Sequence, residues 1–334
     1  MTGARGHGRP GAAATAVLCA VTAAGLYACS GPGPPEHPPS PTPPPATAPA
    51  TTPPAGTSPL TGLPARSGPV LAVKIDNVPA ARPHTGLAAA DLVYVEQVES
   101  GQTRLMGVYA SRLPDRVGPV RSARESDLAL LRQFGRPVLA YSGAQGALTP
   151  LLRAAPLHLV HEGGTPAAFR RDPGRAAPHN LYLLPARALA TAPDATRTRD
   201  IGFRFGPAPA DGTPVNSRTV RFPAARYTFT WAPDAKAWHV TMDGRPDGPL
   251  APATVVVQHV TVRPSRFHDF LGAVSPYTVT TGSGTAEVLR DGRAYPARWS
   301  RPDPDRGTVF TTPAGARLNF APGQVWVLLT GTTR

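Results

Sequence analysis

Thirteen prolines within residues 30–59 decide how much of this chain can fold. The stretch carries no Phe, Tyr or Trp and no aliphatic side chain larger than alanine, so it has nothing to bury. Its proline density favours extended polyproline II. At about 3.1 Å per residue it reaches on the order of 90 Å, a spacer that can hold a folded body away from its attachment point through part of a cell wall. A core can therefore come only from residues 60–334.

The other side of the spacer explains the attachment. Residues 1–10 carry Arg5 and Arg9 and no acid, and residues 11–28 are uncharged and apolar, with much alanine. That run is shorter than the ~20 strongly apolar residues of a comfortable membrane span. A basic start, an apolar middle and a small residue before a break are the parts of a secretory signal, here residues 1–28. The break, Leu26-Tyr27-Ala28-Cys29, resembles a bacterial lipobox, with Tyr27 a mild departure. Cys19 falls in the part that would be removed, so Cys29 is the one cysteine of the mature chain and forms no internal disulfide. The expectation is a palmitate-type lipid on Cys29, a linker over residues 29–59, and a place on the outer face of the cytoplasmic membrane. The plainer alternative is an ordinary secretory signal with a stray cysteine.

The formal charge is +13, and loss of Arg5 and Arg9 with the signal brings it to +11. Lys74 and Lys236 are the only lysines, so the positive charge is almost all arginine. Affinity for polyanions is one reading. Codon bias in a GC-rich genome is the other, because Arg, Ala, Pro and Gly are abundant together and no dense basic run occurs. Nucleic acid is excluded as a partner on that pattern.

Residues 60–215 alternate strand and helix signals. Residues 70–75, 91–98, 105–110, 138–142 and 157–161 read as strands, 87–90 as a helical turn, and 147–155 as a helix. Residues 122–135 give the best helix: Ser122 with Glu125 makes a capping box, Leu128, Leu131 and Phe134 recur at helical spacing, and Gly135 stops it before Pro137. This predicts an α/β domain with a mixed sheet. In residues 216–334 the pattern changes to alternation with turn signals. Strands are predicted at 227–231, 238–242, 255–262, 286–290, 295–299, 309–311, 317–320 and 325–329, giving a β-rich domain with Trp299 and Trp326 in its core.

Candidate chemistry gathers in residues 70–135. On the strand at 91–98, Glu96 shares a face with Leu92, Tyr94 and Val98, so it must be paired or protonated, and Arg104 on the next strand is the expected partner. A catalytic carboxylate and an internal ion pair both fit. Arg121-Ser122-Ala123-Arg124 straddles the predicted helix start, where free N–H groups and two arginines could receive a phosphate or carboxylate. The same arginines could instead pair with Asp76, Asp91 or Glu99. His158 and His161 face opposite sides of a strand and cannot chelate together, so no metal site is expected. His179 could act as an acid or base, but no serine elbow, Walker loop or dinucleotide fingerprint accompanies it, and no cofactor is implied.

These residues resemble the DUF3048, or YerB-like, family of bacterial lipoproteins. The resemblance rests on Ile75-Asp76-Asn77, Ala81-Arg82-Pro83, Ala90-Asp91-Leu92-Val93-Tyr94, Glu96, Glu99, Thr103-Arg104, Gly118-Pro119-Val120-Arg121-Ser122-Ala123-Arg124 and Ala177-Pro178-His179-Asn180, with Arg290-Asp291-Gly292 and Pro322-Gly323-Gln324-Val325-Trp326 in the second part. It implies an extracytoplasmic lipoprotein with two domains and brings no reaction, cofactor or substrate. The candidate ligand set is Arg82, Arg104, Arg121, Ser122, Arg124, Asn77 and Asn180; the weaker catalytic set is Asp76, Glu96, Glu99 and His179. The preferred expectation is a lipid-anchored envelope protein that binds an anionic wall polymer, a small anion or an envelope protein. An acid/base hydrolase or transferase and a non-catalytic scaffold are the alternatives.

Overall fold

The computed structural model describes residues 56–269 and 271–331. The signal segment, Cys29 and residues 30–55 of the linker lie outside the described residues. Residues 56–59, assigned to the linker from composition, instead join the folded body. Thr57 bridges Pro64, and the Ser58 N–H donates to the Leu63 carbonyl at 2.8 Å.

The first half of the chain supplies strands β1 (Leu71–Asp76), β2 (Leu92–Gln97), β3 (Thr103–Tyr109), β4 (Val138–Tyr141), β5 (His158–His161), β6 (Phe169–Arg171) and β7 (Leu181–Leu183), with helices α1 (Glu125–Leu131), α2 (Thr149–Ala154) and α3 (Pro185–Ala190). The second half supplies β8 (Thr213–Pro214), β9 (Ser217–Phe222), β10 (Ala225–Ala232), β11 (Ala237–Met242), β12 (Arg245–Pro246), β13 (Thr254–Val260), β14 (Val262–His268), β15 (Val274–Thr278), β16 (Gly282–Arg290), β17 (Arg293–Arg301), β18 (Val309–Thr311) and β19 (Val325–Gly331).

Among the described residues, an 11-stranded mixed sheet runs in the order β18-β17-β16-β13-β19-β2-β3-β1-β4-β5, with β8 added beside β17. Its centre is the last strand. β19 pairs in parallel with β13 on one side and with β2 on the other, so strands from both halves of the chain share one ladder. β19 is apolar on both faces from Val325 to Leu329, as a strand covered on both sides must be.

The two faces carry separate cores. Leu71, Val73 and Ile75 of β1, Val93 and Val95 of β2, and Trp326 and Leu328 of β19 point to one face. There the antiparallel sheet β12-β11-β10-β9 covers them with Tyr227, Phe229, Trp238 and Met242. On the other face Ala72, Leu92, Tyr94, Met106 and Val327 pack under α1, α2 and the Phe203–Phe310–Phe320 aromatic cluster. Trp299 and Trp326 are both buried, as expected.

Several expectations change. The helix predicted at 122–135 starts at Glu125 and ends as a 3-10 turn, Arg132–Phe134, before Gly135, whose φ is positive. The Ser122/Glu125 capping box does not form. The Asp127 carboxylate instead accepts the Arg124 N–H at 2.7 Å, and Glu125 accepts the Ser265 hydroxyl at 2.5 Å. Residues 317–320 are no strand: only Arg317 and Phe320 make single bridges, to Thr311 and Phe205. The hairpin β6–β7 escapes the sequence because each strand has only three residues, and β14–β15 because Pro264 and Pro276 break the alternation that signals a strand.

Candidate functional site

β1, β3 and β2 lie side by side, and register places Asp76 opposite Arg104 and Arg104 opposite Glu96. Lys74, two residues before Asp76, shares their face. This face turns toward α1. The expected Glu96–Arg104 pair is not what forms. Lys74 lies 3.1 Å from Glu96 and 2.5 Å from Asp127 of α1, and all three are buried. Burial would lower the Lys74 amine, but Asp127 and Glu96 outweigh it and hold it above the usual lysine range. Burial, helped by the nearby Asp127 charge, pushes the Glu96 carboxyl up to about 7 against the pull of Lys74. Glu96 Oε1 makes no hydrogen bond. The trio is sealed, which removes Glu96 from the candidate catalytic set.

Arg104 serves Asp76 instead. Three nitrogen-bearing side chains converge on that carboxylate: Arg104 Nη1 at 3.2 Å, Arg121 Nε at 3.3 Å and His179 Nδ1 at 2.8 Å. The Asn77 N–H donates to Asp76 Oδ1 as well, at 2.9 Å. Burial would raise the Asp76 carboxyl, yet Arg104, His179 and Arg121 hold it below the ordinary carboxylate range. Burial and the proximity of Arg124 and Arg121 bring the Arg104 guanidinium down to about 10 despite Asp76. Arg104 Nε, Arg104 Nη1 and Arg121 Nε are buried and make no hydrogen bond of acceptable geometry. Asp76 is fully buried, whereas the side chains of Arg121 and His179 are 23% and 21% exposed, so the cluster has an inner and an outer edge.

The remaining candidates are committed elsewhere. Arg124 forks onto Glu99 with two 2.7 Å bonds and donates to the Ala123 carbonyl, and Glu99 also accepts the Ser275 hydroxyl. Arg124 thereby holds the Glu99 carboxyl below its usual range against burial. Arg82 pairs with Asp243 at 2.8 Å and donates to Asn77 and to the Met242 carbonyl. The Asn77 amide donates to Thr103 and to the Tyr227 hydroxyl, and Asn180 accepts from Arg171 at 2.8 Å. Ser122 and Arg124 line a cavity of about 320 Å³ floored by Leu148 and Phe267. Glu125, Asp269 and a buried, unpaired Gln145 Oε1 also border it, an acceptor-rich lining that suits an anion poorly.

Sequence reasoning missed His84. Its Nδ1 contacts the Asp247 carboxylate, and its Nε2 lies 2.6 Å from the Asp76 carbonyl, clamping β1 to the loop after β12. The partners are 163 and 8 positions away, and no local pattern announces such a contact. His158 approaches Asp194, and the His161 ring lies tilted against Tyr141. Among the described residues no group of His, Cys, Asp and Glu has metal-binding geometry.

Comparison with known proteins agrees with this architecture. The family model described as "Protein of unknown function (DUF3048) N-terminal domain" matches residues 60–199, and its C-terminal counterpart matches residues 218–327. The chain belongs to the DUF3048 family. A curated relative, "Putative lipoprotein YerB" of Bacillus subtilis (strain 168), is 35% identical over 113 residues, a match that spans 34% of this chain and 34% of that protein. The crystal structure of the YerB protein from Bacillus subtilis superposes with a TM-score of 0.70 at 21% identity, covering 82% of this chain and 96% of that one. That likeness establishes the DUF3048 fold of a large mixed sheet with a strand-rich C-terminal region.

Proposed function

We propose that this DUF3048 protein is a lipid-anchored envelope protein that binds an anionic ligand at the outer edge of the Arg104–Arg121–His179 cluster. Its anchor would be Cys29, with the proline-rich segment as tether. The single supporting observation is the donor surplus around Asp76. Arg104 Nε is buried there without an acceptor, and Arg104 Nη1 and Arg121 Nε reach Asp76 at 3.2 and 3.3 Å without hydrogen-bond geometry, while that one carboxylate is already bonded by Asn77 and His179. Buried N–H groups without acceptors are costly, and a multi-oxygen anion supplies acceptors.

Calorimetric titration with inorganic phosphate, wall-polymer fragments and acidic peptides tests this. Arg121→Ala is expected to weaken binding by about tenfold or more, in line with a lost charge-assisted bond. Affinity unchanged in that variant, or no binding by any probe, removes the proposal. For the anchor, Cys29→Ala is expected to move the protein from the membrane fraction to the soluble one and to abolish palmitate labelling. Unchanged fractionation would argue for a plain secretory signal.

The contact between His179 and Asp76 favours a second reading, acid/base hydrolysis, since a carboxylate on Nδ1 orients the ring and leaves Nε2 free. Turnover of ester or phosphoester substrates that disappears in His179→Gln would support it. Glu96 and Glu99 take no part in that reading, because each is held in its own ion pair.

A further inference from the structure

We infer that the Arg104–Arg121–His179 edge takes a doubly charged tetrahedral oxyanion, of the sulfate or phosphate-monoester class, and captures it together with a proton on His179. This rests on the anion-binding reading above and narrows its ligand.

Charge restricts the ligand. Arg104, Arg121 and His179 all lie within 3.3 Å of the Asp76 carboxylate. With His179 neutral, two guanidinia face one carboxylate, and the group carries a single positive charge. With His179 protonated it carries two, which a dianion cancels. A dianion bound beside neutral His179 would leave a net negative charge at a site where Asp76 is fully buried and Arg104 nearly so. Uncompensated charge is penalised in such surroundings. The neighbours do not make up the difference. Arg124 is matched by Glu99, and Lys74 faces two carboxylates, Glu96 and Asp127.

The available donors restrict it further. Asp76 occupies His179 Nδ1, and among the described residues nothing hydrogen-bonds Nε2. An added proton therefore makes Nε2 a donor toward the ligand. Asp76 on β1, Arg121 before α1 and, across Asp76, Arg104 on β3 are the charged groups that face this ring. On the ring's own loop, Arg175 is committed to the carbonyls of Ala80, Arg82 and Pro83 and to the Tyr182 hydroxyl. Two guanidinium groups and one imidazole supply the donors. A carboxylate has two oxygens to meet them, whereas a tetrahedral oxyanion has one for each.

The test is calorimetric titration of the full chain with sodium sulfate, repeated in buffers of different ionisation enthalpy. Sulfate remains a dianion across the neutral range, so any proton counted belongs to the protein. The expected result is a binding enthalpy that varies with buffer in the sense of proton uptake. Phosphate and glycerol 2-phosphate should compete for the site, and acetate should not. His179→Gln is expected to bind sulfate about tenfold more weakly with no buffer dependence. His179→Asn, which keeps a short polar side chain near Asp76, gives the same readout in a second background. Sulfate binding without buffer dependence in the unmodified chain, or uptake unchanged in both variants, overturns the proton linkage alone. Acetate binding as tightly as sulfate overturns the ligand class. Failure of every anion to bind overturns this inference together with the reading beneath it.

Discussion

Glu96, Asp127 and Lys74 place two carboxylates and one amine where water cannot reach them, so folding there is coupled to a proton. The Glu96 carboxyl is raised to about 7, above its ordinary value, so the folded chain binds more protons than the unfolded chain between roughly pH 4.5 and 7. Stability from this group is present below that window and lost as pH rises through it. Asp76, Glu99 and Asp247 work in the opposite sense. Each is held below its ordinary range, Asp247 by its contact with His84 against the effect of burial, and their contributions are lost as pH falls through the acid range. Glu96→Gln should therefore flatten the decline between pH 4.5 and 7, by on the order of 3 kcal/mol, while leaving the acid limb intact. Urea unfolding at a series of pH values measures this, and an unchanged neutral limb would assign the proton elsewhere. That Glu96 needs a partner is legible from strand alternation alone. That the partner is Lys74 is not, because Arg104 is the nearer candidate in register and α1 supplies the acid that recruits the amine.

At the scale of elements, α1 has seven residues and depends on its surroundings for both ends. Asp127 closes the start. At the other end Arg301, the last residue of β17, donates to the Ala129 carbonyl at 2.7 Å and to those of Pro304 and Arg306, with Thr280 Oγ1 at 2.9 Å. A helix this short gains little from its own hydrogen bonds, so these contacts and its packed face hold it. Arg301→Ala leaves several buried carbonyls without donors and is expected to destabilise by roughly 3 kcal/mol. In a body of this size that lowers the melting temperature by about 6–12 °C. A calorimetric scan showing under about 2 °C of change would mean that water replaces the guanidinium. The strands on either side of Asp291-Gly292 are legible because the turn residues match the φ demanded of them: Asp291 and Gly292 both adopt positive φ. The start of α1 is not legible, since Ser122 offers an equally good cap two residues before the observed one at Arg124.

At the scale of the whole molecule, the final strand governs assembly. β19 lies between β13 and β2, so residues 56–215 alone would expose the edge of β2 with Val93 and Val95 uncovered beside it. An apolar edge of that kind invites aggregation. Residues 56–215 and 216–331, expressed separately, are expected to be insoluble or to lack native near-ultraviolet dichroism. Co-expression should restore a soluble pair. Two soluble fragments, each with dispersed amide spectra, would show that the shared ladder is dispensable.

By itself the sequence determined the proline-rich stretch that cannot build a core, the two styles of patterning, the burial of Trp299 and Trp326, and the concentration of charge in residues 70–135. All of these are local, written in composition, spacing or period. Only the tertiary structure decided which charges meet. It sealed Glu96 with Lys74, consumed Arg82, Arg124, Asn77 and Asn180 in internal bonds, and brought His179 across 103 positions to Asp76. The physical reason is that pairing follows distance and desolvation in three dimensions. β19 enters the sheet more than 200 residues after its neighbour β2, a crossing that no local pattern encodes.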